Sequence, residues 1–127
     1  MASSAGATSA GCSILWSTDE PLLAGLALVA TAAVGSAYIF AAPVYLCLVA
    51  AWTSGEPETA RNEQMRSVNV DARLASCGYL GAAKVVMGML GVLVGPAHLP
   101  HSSPDPDQTA TMRGDLEAMG FFDWVKA

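Results

Sequence analysis

The chain has 127 residues, of which 53% are hydrophobic and only 13% charged, with a net charge of −5; a water-exposed domain carries about a quarter charged residues. Its six basic residues are scattered, so no run of them can neutralise successive phosphates, and nucleic acid is excluded as a partner. Cys12, Cys47 and Cys77 are odd in number and widely spaced, which excludes a closed disulfide framework or a CxxC metal site. The apolar surplus calls for a lipid cover, and the expected fold class is an all-α membrane protein: a two-span transmembrane helical hairpin with a polar, partly helical connector and an extended Pro-rich C-terminal tail ending in a short amphipathic helix.

Residues 1–18 form an N-terminal tail without Lys or Arg, and Asp19 and Glu20 directly precede Pro21, so neither a secretory signal nor an arginine-rich presequence is expected. From Pro21 to Gly55 no residue is charged. As one helix that run of about 35 residues would reach about 50 Å, longer than the roughly 30 Å hydrocarbon core. Thr18 is a candidate N-cap, with Asp19 and Glu20 in the electropositive first turn. Transmembrane helix 1 is therefore placed over 19–54, bent near Pro43, whose missing N–H breaks the ladder, and ended by Ser54-Gly55-Glu56-Pro57. Tyr38, Tyr45 and Trp52 recur every seven residues as an aromatic stripe suited to packing, or to lining a quinone, pigment or lipid. Trp16 and Trp52 are expected to be interface anchors.

Residues 55–72 read as the polar connector. Its Arg61, Arg66 and Arg73 outweigh the flanks, which puts the connector in the positive-inside compartment and both termini opposite. Transmembrane helix 2 spans 73–95, with Asp71 as candidate N-cap and Gly95-Pro96 as the stop. Within it Gly81, Lys84, Gly88, Gly91 and Gly95 follow at spacings of 3, 4, 3 and 4, a seam on one face that would let another backbone approach closely in lipid. Lys84, near the middle, costs roughly 2.5 to 3.5 kcal/mol on insertion scales. It is expected to meet a carboxylate, a carbonyl cluster or an anionic lipid head group from a partner, or else to snorkel to the connector side.

Residues 96–127 are the tail, where Pro96, Pro100, Pro104 and Pro106 forbid continuous helix. Asp107 or Thr109 could cap a short helix over about 108–119 in which Met112, Leu116 and Met119 share a face, ended by Gly120. Phe121, Phe122 and Trp124 are expected to bury against a partner or the membrane interface. His98 and His101 are read as solvated loop histidines, because zinc needs further ligands and no cysteine lies near. No nucleophile with a base at helical spacing, no carboxylate pair inside a span and no Gly-rich phosphate loop is found. Neither an enzyme nor a cofactor of its own is expected, and no metal.

The functional expectation is a non-catalytic accessory subunit of a multi-subunit energy-transducing complex in the mitochondrial inner membrane, a respiratory complex or ATP synthase, whose partners are other transmembrane subunits and membrane lipids. Leu74-Ala75-Ser76-Cys77-Gly78 with Gly81 resembles the second helix of photosystem I subunit K. That resemblance implies a thylakoid hairpin in contact with pigment, although the pigment-binding histidine of that family is Ala82 here. A third expectation is a free-standing oligomeric membrane carrier or scaffold in which the glycine seam pairs with itself.

Overall fold

Leu15 and Trp16 form a short strand, β1, that pairs in parallel with β2, Ala32–Ala33, in the register Leu15 to Ala32 and Trp16 to Ala33. The computed structural model describes residues 13–126. Cys12, residues 1–12 of the expected tail and Ala127 lie outside the described residues. Parallel neighbours need a crossover, and helix α1, Leu22–Ala27, supplies it. Strands of parallel sheets are buried on both faces and read as continuous apolar runs without alternation. The uncharged stretch from Pro21 to Gly55 is therefore not one span: it holds α1, β2 and the whole of helix α2, Tyr38–Thr53.

Helix α2 departs from helical geometry at Ala41, φ −122° and ψ 22°, two residues before Pro43, where the proline ring crowds the preceding turn. Helix α3, Pro57–Ala75, occupies the stretch read as a connector. Pro57 opens it with Glu58 in the first turn and Arg73 in the last, each complementing the helix dipole. Its inward face is Ala60, Glu63, Ser67, Val70, Asp71 and Leu74, a helical repeat made half of polar side chains. An apolar-periodicity reading cannot see such a face. Helix α4, Tyr79–Met89, begins after Gly78 at φ 79° and stops before Gly91 at φ 93°. The run Leu74–Val94 is thus the end of one helix, a tight turn, a helix of 11 residues and a loop.

Helix α5, Pro106–Met119, is capped by Asp105 and not by Asp107 or Thr109. The Asp105 carboxylate accepts from the Gln108 N–H at 2.7 Å while the Gln108 side chain accepts from the Asp105 N–H at 3.0 Å, a reciprocal box that satisfies two terminal donors. Gly120 ends it, and α6, Phe121–Trp124, follows. The core gathers Leu22, Phe40, Tyr45, Leu48, Leu74, Val86, Met112, Leu116 and Phe121 from all six helices of the described residues. Arg73 of α3 donates to Asp115 of α5 at 2.5 Å and ties the C-terminal helix to this core.

Among the described residues no helix is long and apolar enough to cross a membrane, which overturns the two-span hairpin, the membrane orientation of its termini and the lipid-facing roles. The glycine seam dissolves into separate local causes. A Cβ at Gly81 would overlap the Ser102 carbonyl oxygen, so this glycine admits the backbone of the 102–103 loop. Gly91 and Gly95 lie beyond α4 with positive φ and open space around them, and Gly88 has only the Leu93 side chain at 3.7 Å. Lys84 lies on α4, where its Nζ donates to the carbonyl oxygens of Pro96 at 3.1 Å and Val94 at 3.5 Å; carbonyls do meet it, but from the chain's own returning loop.

Phe121 is fully buried, edge-on to Phe40 and Phe122 at centroid distances of 6.3 and 5.3 Å. Phe122 carries the Arg113 guanidinium at 5.6 Å and Trp124 that of Arg66 at 4.9 Å, so the terminal aromatics pack on this chain's own helices. Trp16 lies on β1 with its indole against Gly25, where a Cβ would overlap the ring, and Trp52 is 38% exposed near the end of α2. Phe121→Ala should cost about 3 to 5 kcal/mol in chemical denaturation. Gly81→Ala should cost about 1 to 3 kcal/mol through overpacking, whereas Gly88→Ala should be neutral or stabilise by up to about 1 kcal/mol. Equal losses at Gly81 and Gly88 would revive the common seam.

Candidate active site at the strand ends

Beyond the C-terminal ends of β1 and β2 the chain turns sharply, and the two turns together with α3 and α4 border an open cavity of about 230 Å³ lined by Ser17, Thr18, Asp19, Glu20, Ser36, Asp71 and Tyr79. Ser17 to Glu20 follow β1 directly, and Ser36 follows β2. Asp71 comes from the inward face of α3 and Tyr79 from the first turn of α4. No cationic side chain among the described residues lines the cavity. Among the described residues no group of three His, Cys, Asp or Glu side chains converges to hold a metal ion; His98 and His101 are exposed in the loop after α4.

Asp19 is 6% exposed. Its Oδ2 accepts the Ala37 N–H at 3.0 Å, while Oδ1 has no hydrogen-bond partner among the described residues and lies against Gly35, where a Cβ would collide with it. Burial raises the Asp19 pKa, the Ala37 N–H pulls it partly back, and the neighbouring Glu20 charge adds to the rise. A buried acceptor without a donor is costly unless something enters to supply one.

Asp71 is 3% exposed and collects two phenols: Tyr79 Oη donates to Oδ1 at 3.3 Å and Tyr45 Oη to Oδ2 at 3.4 Å. Ser36 Oγ donates to Tyr79 Oη at 3.1 Å, and Ser67 Oγ to Tyr45 Oη at 3.0 Å. Burial is the main cause of an Asp71 pKa pushed up to about 7, with the charges of Asp19 and Glu20 adding and the two phenols opposing. Burial likewise raises the phenols of Tyr45 and Tyr79, and that of Tyr38 to about 12. Tyr38 stacks on Tyr45 at 4.3 Å between centroids. The heptad stripe thus brings Tyr45 to the polar network and Tyr38 beside it.

Local sequence patterns point to none of these side chains as a site: Asp19 and Glu20 fit a helix dipole, Asp71 an N-cap and Tyr45 an aromatic stripe, and Ser36 and Tyr79 belong to no motif. The available signal was Asp71 itself, an acid on the inward face of a helix with Ser67 one turn before it and no basic residue three or four positions away.

Because native Asp71 holds its proton to higher pH than the unfolded chain does, its contribution to stability is full below the ordinary carboxylate range. That contribution is lost as pH rises through about 7. Unfolding free energies at pH 5 and pH 8.5 should therefore diverge between the protein and Asp71→Asn, with the aspartate form losing ground at the higher pH. A parallel pH dependence of the two would show that Asp71 ionises freely.

No family model matches the sequence. The chain is 30% identical over 95 residues to N-acetylneuraminate lyase of Rhizobium meliloti (strain 1021), a match covering 75% of this chain and 32% of that protein. It superposes on Proteus mirabilis N-acetylneuraminate lyase with a TM-score of 0.81 at 31% identity, covering 87% of this chain and 37% of the other. On the sialic acid aldolase of Aliivibrio salmonicida the TM-score is 0.77 at 28% identity, over 83% and 35% of the two chains. The chain spans about a third of the length of these relatives. The relatives are enzymes, which overturns the expected non-catalytic subunit of a respiratory complex, ATP synthase or photosystem, its transmembrane partners and lipids, and its place in the mitochondrial or thylakoid membrane; the carrier or scaffold falls with them. Over the stretch it covers, the chain has the fold of TIM-barrel aldolases of the N-acetylneuraminate lyase kind, and its polar cavity lies at the strand ends where such barrels place their active sites.

Proposed function

We propose that this chain supplies the substrate-holding mouth of a carbon–carbon lyase acting on a hydroxyl-rich sugar acid of the N-acetylneuraminate class. One observation carries the reading: at the C-terminal ends of two parallel strands, a cavity is walled by the carboxylates of Asp19, Glu20 and Asp71 and the hydroxyls of Ser17, Thr18, Ser36 and Tyr79. Such a wall offers acceptors to the hydroxyls of a polyol. The wall also selects orientation, because Asp19, Glu20 and Asp71 repel an anion and no cation balances them. The carboxylate end of a sugar acid therefore points away, and its polyol or amide end faces Asp19 and Ser36.

The described residues account for binding and not for bond breaking. An aldol cleavage needs an electron sink such as a lysine imine. Neither lysine lies at the cavity: Lys84 is engaged with the 94–96 loop, and Lys126 pairs with Asp123 at 3.8 Å. The reading thus assigns this chain the positioning part of the reaction.

Calorimetric titration with N-acetylneuraminate tests it. The protein should bind, and Asp19→Asn, which turns an acceptor toward a donor in nearly the same volume, should weaken binding about tenfold or more. Ser36→Ala should weaken it by a smaller factor. Absence of binding by the parent, or equal affinity of Asp19→Asn, would remove the proposal.

A further inference from the structure

The hydrogen bonds around Asp71 have a direction. Both carboxylate oxygens accept, so the proton of every hydroxyl in the two chains that reach it points toward Asp71: from Ser36 to Tyr79 to Oδ1, and from Ser67 to Tyr45 to Oδ2. With its proton given to Tyr79, Ser36 Oγ has only lone pairs left for the cavity it lines.

The two chains differ in whether they can reverse. The Tyr45 branch ends on Gln64, whose Nε2 donates to Ser67 Oγ at 3.5 Å and to the Asp19 carbonyl at 3.1 Å. The Gln64 Oε1 takes the Leu23 N–H at 2.8 Å. A backbone donor at one end and a backbone acceptor at the other fix the amide, so this branch is held in its direction. The Tyr79 branch ends instead on Ser36, an exposed hydroxyl at the open cavity. A proton arriving on Asp71 would therefore go out along this branch: the carboxyl donates to Tyr79, Tyr79 donates to Ser36, and the Ser36 proton turns into the cavity. No bond to carbon changes, and the one proton taken up comes from solvent.

We propose that Asp71 is a positioning residue that sets, through Tyr79, whether the Ser36 hydroxyl offers a lone pair or a proton to a ligand in the cavity. The proposal deepens the ligand reading given above and rests on it for the identity of the ligand. The groups facing Asp71 are Asp19 and Glu20 from the turn after β1, Tyr38 and Tyr45 from α2, Ser67 on its own helix and Tyr79 from α4. None is a cation, so the Asp71 charge is balanced only by hydroxyl dipoles, and its raised titration range, near 7, falls where the switch can be read.

The test combines a readout without ligand and one with it. In protein carrying ¹³C at tyrosine Cζ, the Tyr79 signal should titrate with a midpoint near 7 as its donor role reverses, and should stay flat in Asp71→Asn. Affinity for N-acetylneuraminate, whose own carboxylate titrates far lower, should fall about three- to tenfold between pH 8 and pH 6, the loss of about one hydrogen bond. Tyr79→Phe keeps the ring and should bind with no pH dependence over that range. A flat Tyr79 signal in the parent overturns the relay. So does an unchanged pH dependence in Tyr79→Phe, which would mean that the Asp71 charge acts on the ligand through space. A titrating Tyr79 signal in a protein that does not bind N-acetylneuraminate supports the relay and overturns the ligand reading alone.

Discussion

The fold is held at one residue near the end of β1. The Asp19 carboxylate accepts the Ala37 N–H just before α2, its carbonyl oxygen accepts from Leu22 at the start of α1 and from Gln64 of α3, and its Oδ1 occupies the space that a side chain at position 35 would need. Three helices and the turn after β2 thus meet on one buried acid. Replacing either turn by a generic loop would unseat α2 from α3, the most extensive helix contact among the described residues. Burying that acid beside Glu20 and Asp71 is electrostatically unfavourable, as the upward pKa shifts of Asp19 and Asp71 register. Clusters of this kind belong to sites more often than to scaffolds, and here the same atoms that hold the fold line the cavity.

What was legible in the sequence follows from which physical signals are local. The terminal helix is set by near neighbours: a proline at its first position, a glycine after its last, and Met112 and Leu116 four apart facing inward. The bend in the second helix is set by Pro43, and the helix breaks at Ala41. These signals act within one or two turns of chain. The inward face of α3 was illegible because its partners are remote: Ser67 and Asp71 are buried against Tyr45, 22 and 26 residues away, and Tyr79 reaches back to Ser36 over 43. Polar residues satisfied by distant hydroxyls look, in sequence, like residues satisfied by water. The glycine spacing misled for the complementary reason. Gly81, Gly88, Gly91 and Gly95 share a period, but only Gly81 is pressed by a neighbouring backbone, and two of the four are turn residues.

The apolar surplus that suggested lipid has another physical source. Two parallel strands cannot cover their own faces and edges, and side chains on or next to them remain open: Leu15 at 58% and Val34 at 62% exposure. A closed barrel of eight strands covers such positions from both sides. Lipid and a barrel interior impose the same demand for apolar side chains on a short stretch of sequence. What separates them is helix length, since a span needs about 20 residues in register with the bilayer whereas the apolar helix Tyr38–Thr53 runs for 16 and is broken at Ala41.

The chemistry of the cavity follows from the same separation of scales. A strand end brings backbone and short side chains to a rim, and in this chain that rim carries Ser17, Thr18, Asp19, Glu20 and Ser36, all of them able to accept hydrogen bonds. The helical layer adds Asp71 and Tyr79, which touch the rim from behind. A rim of acceptors alone would hold any donor-rich molecule with little discrimination. By fixing where the Ser36 proton goes, the helical layer converts that rim into a pattern, and a pattern distinguishes a hydroxyl that must donate from one that must accept. In the proposed relay, discrimination resides less in the groups that touch a ligand than in Asp71 and Tyr79 behind them, and the polar inward face of α3 is what places Asp71 there.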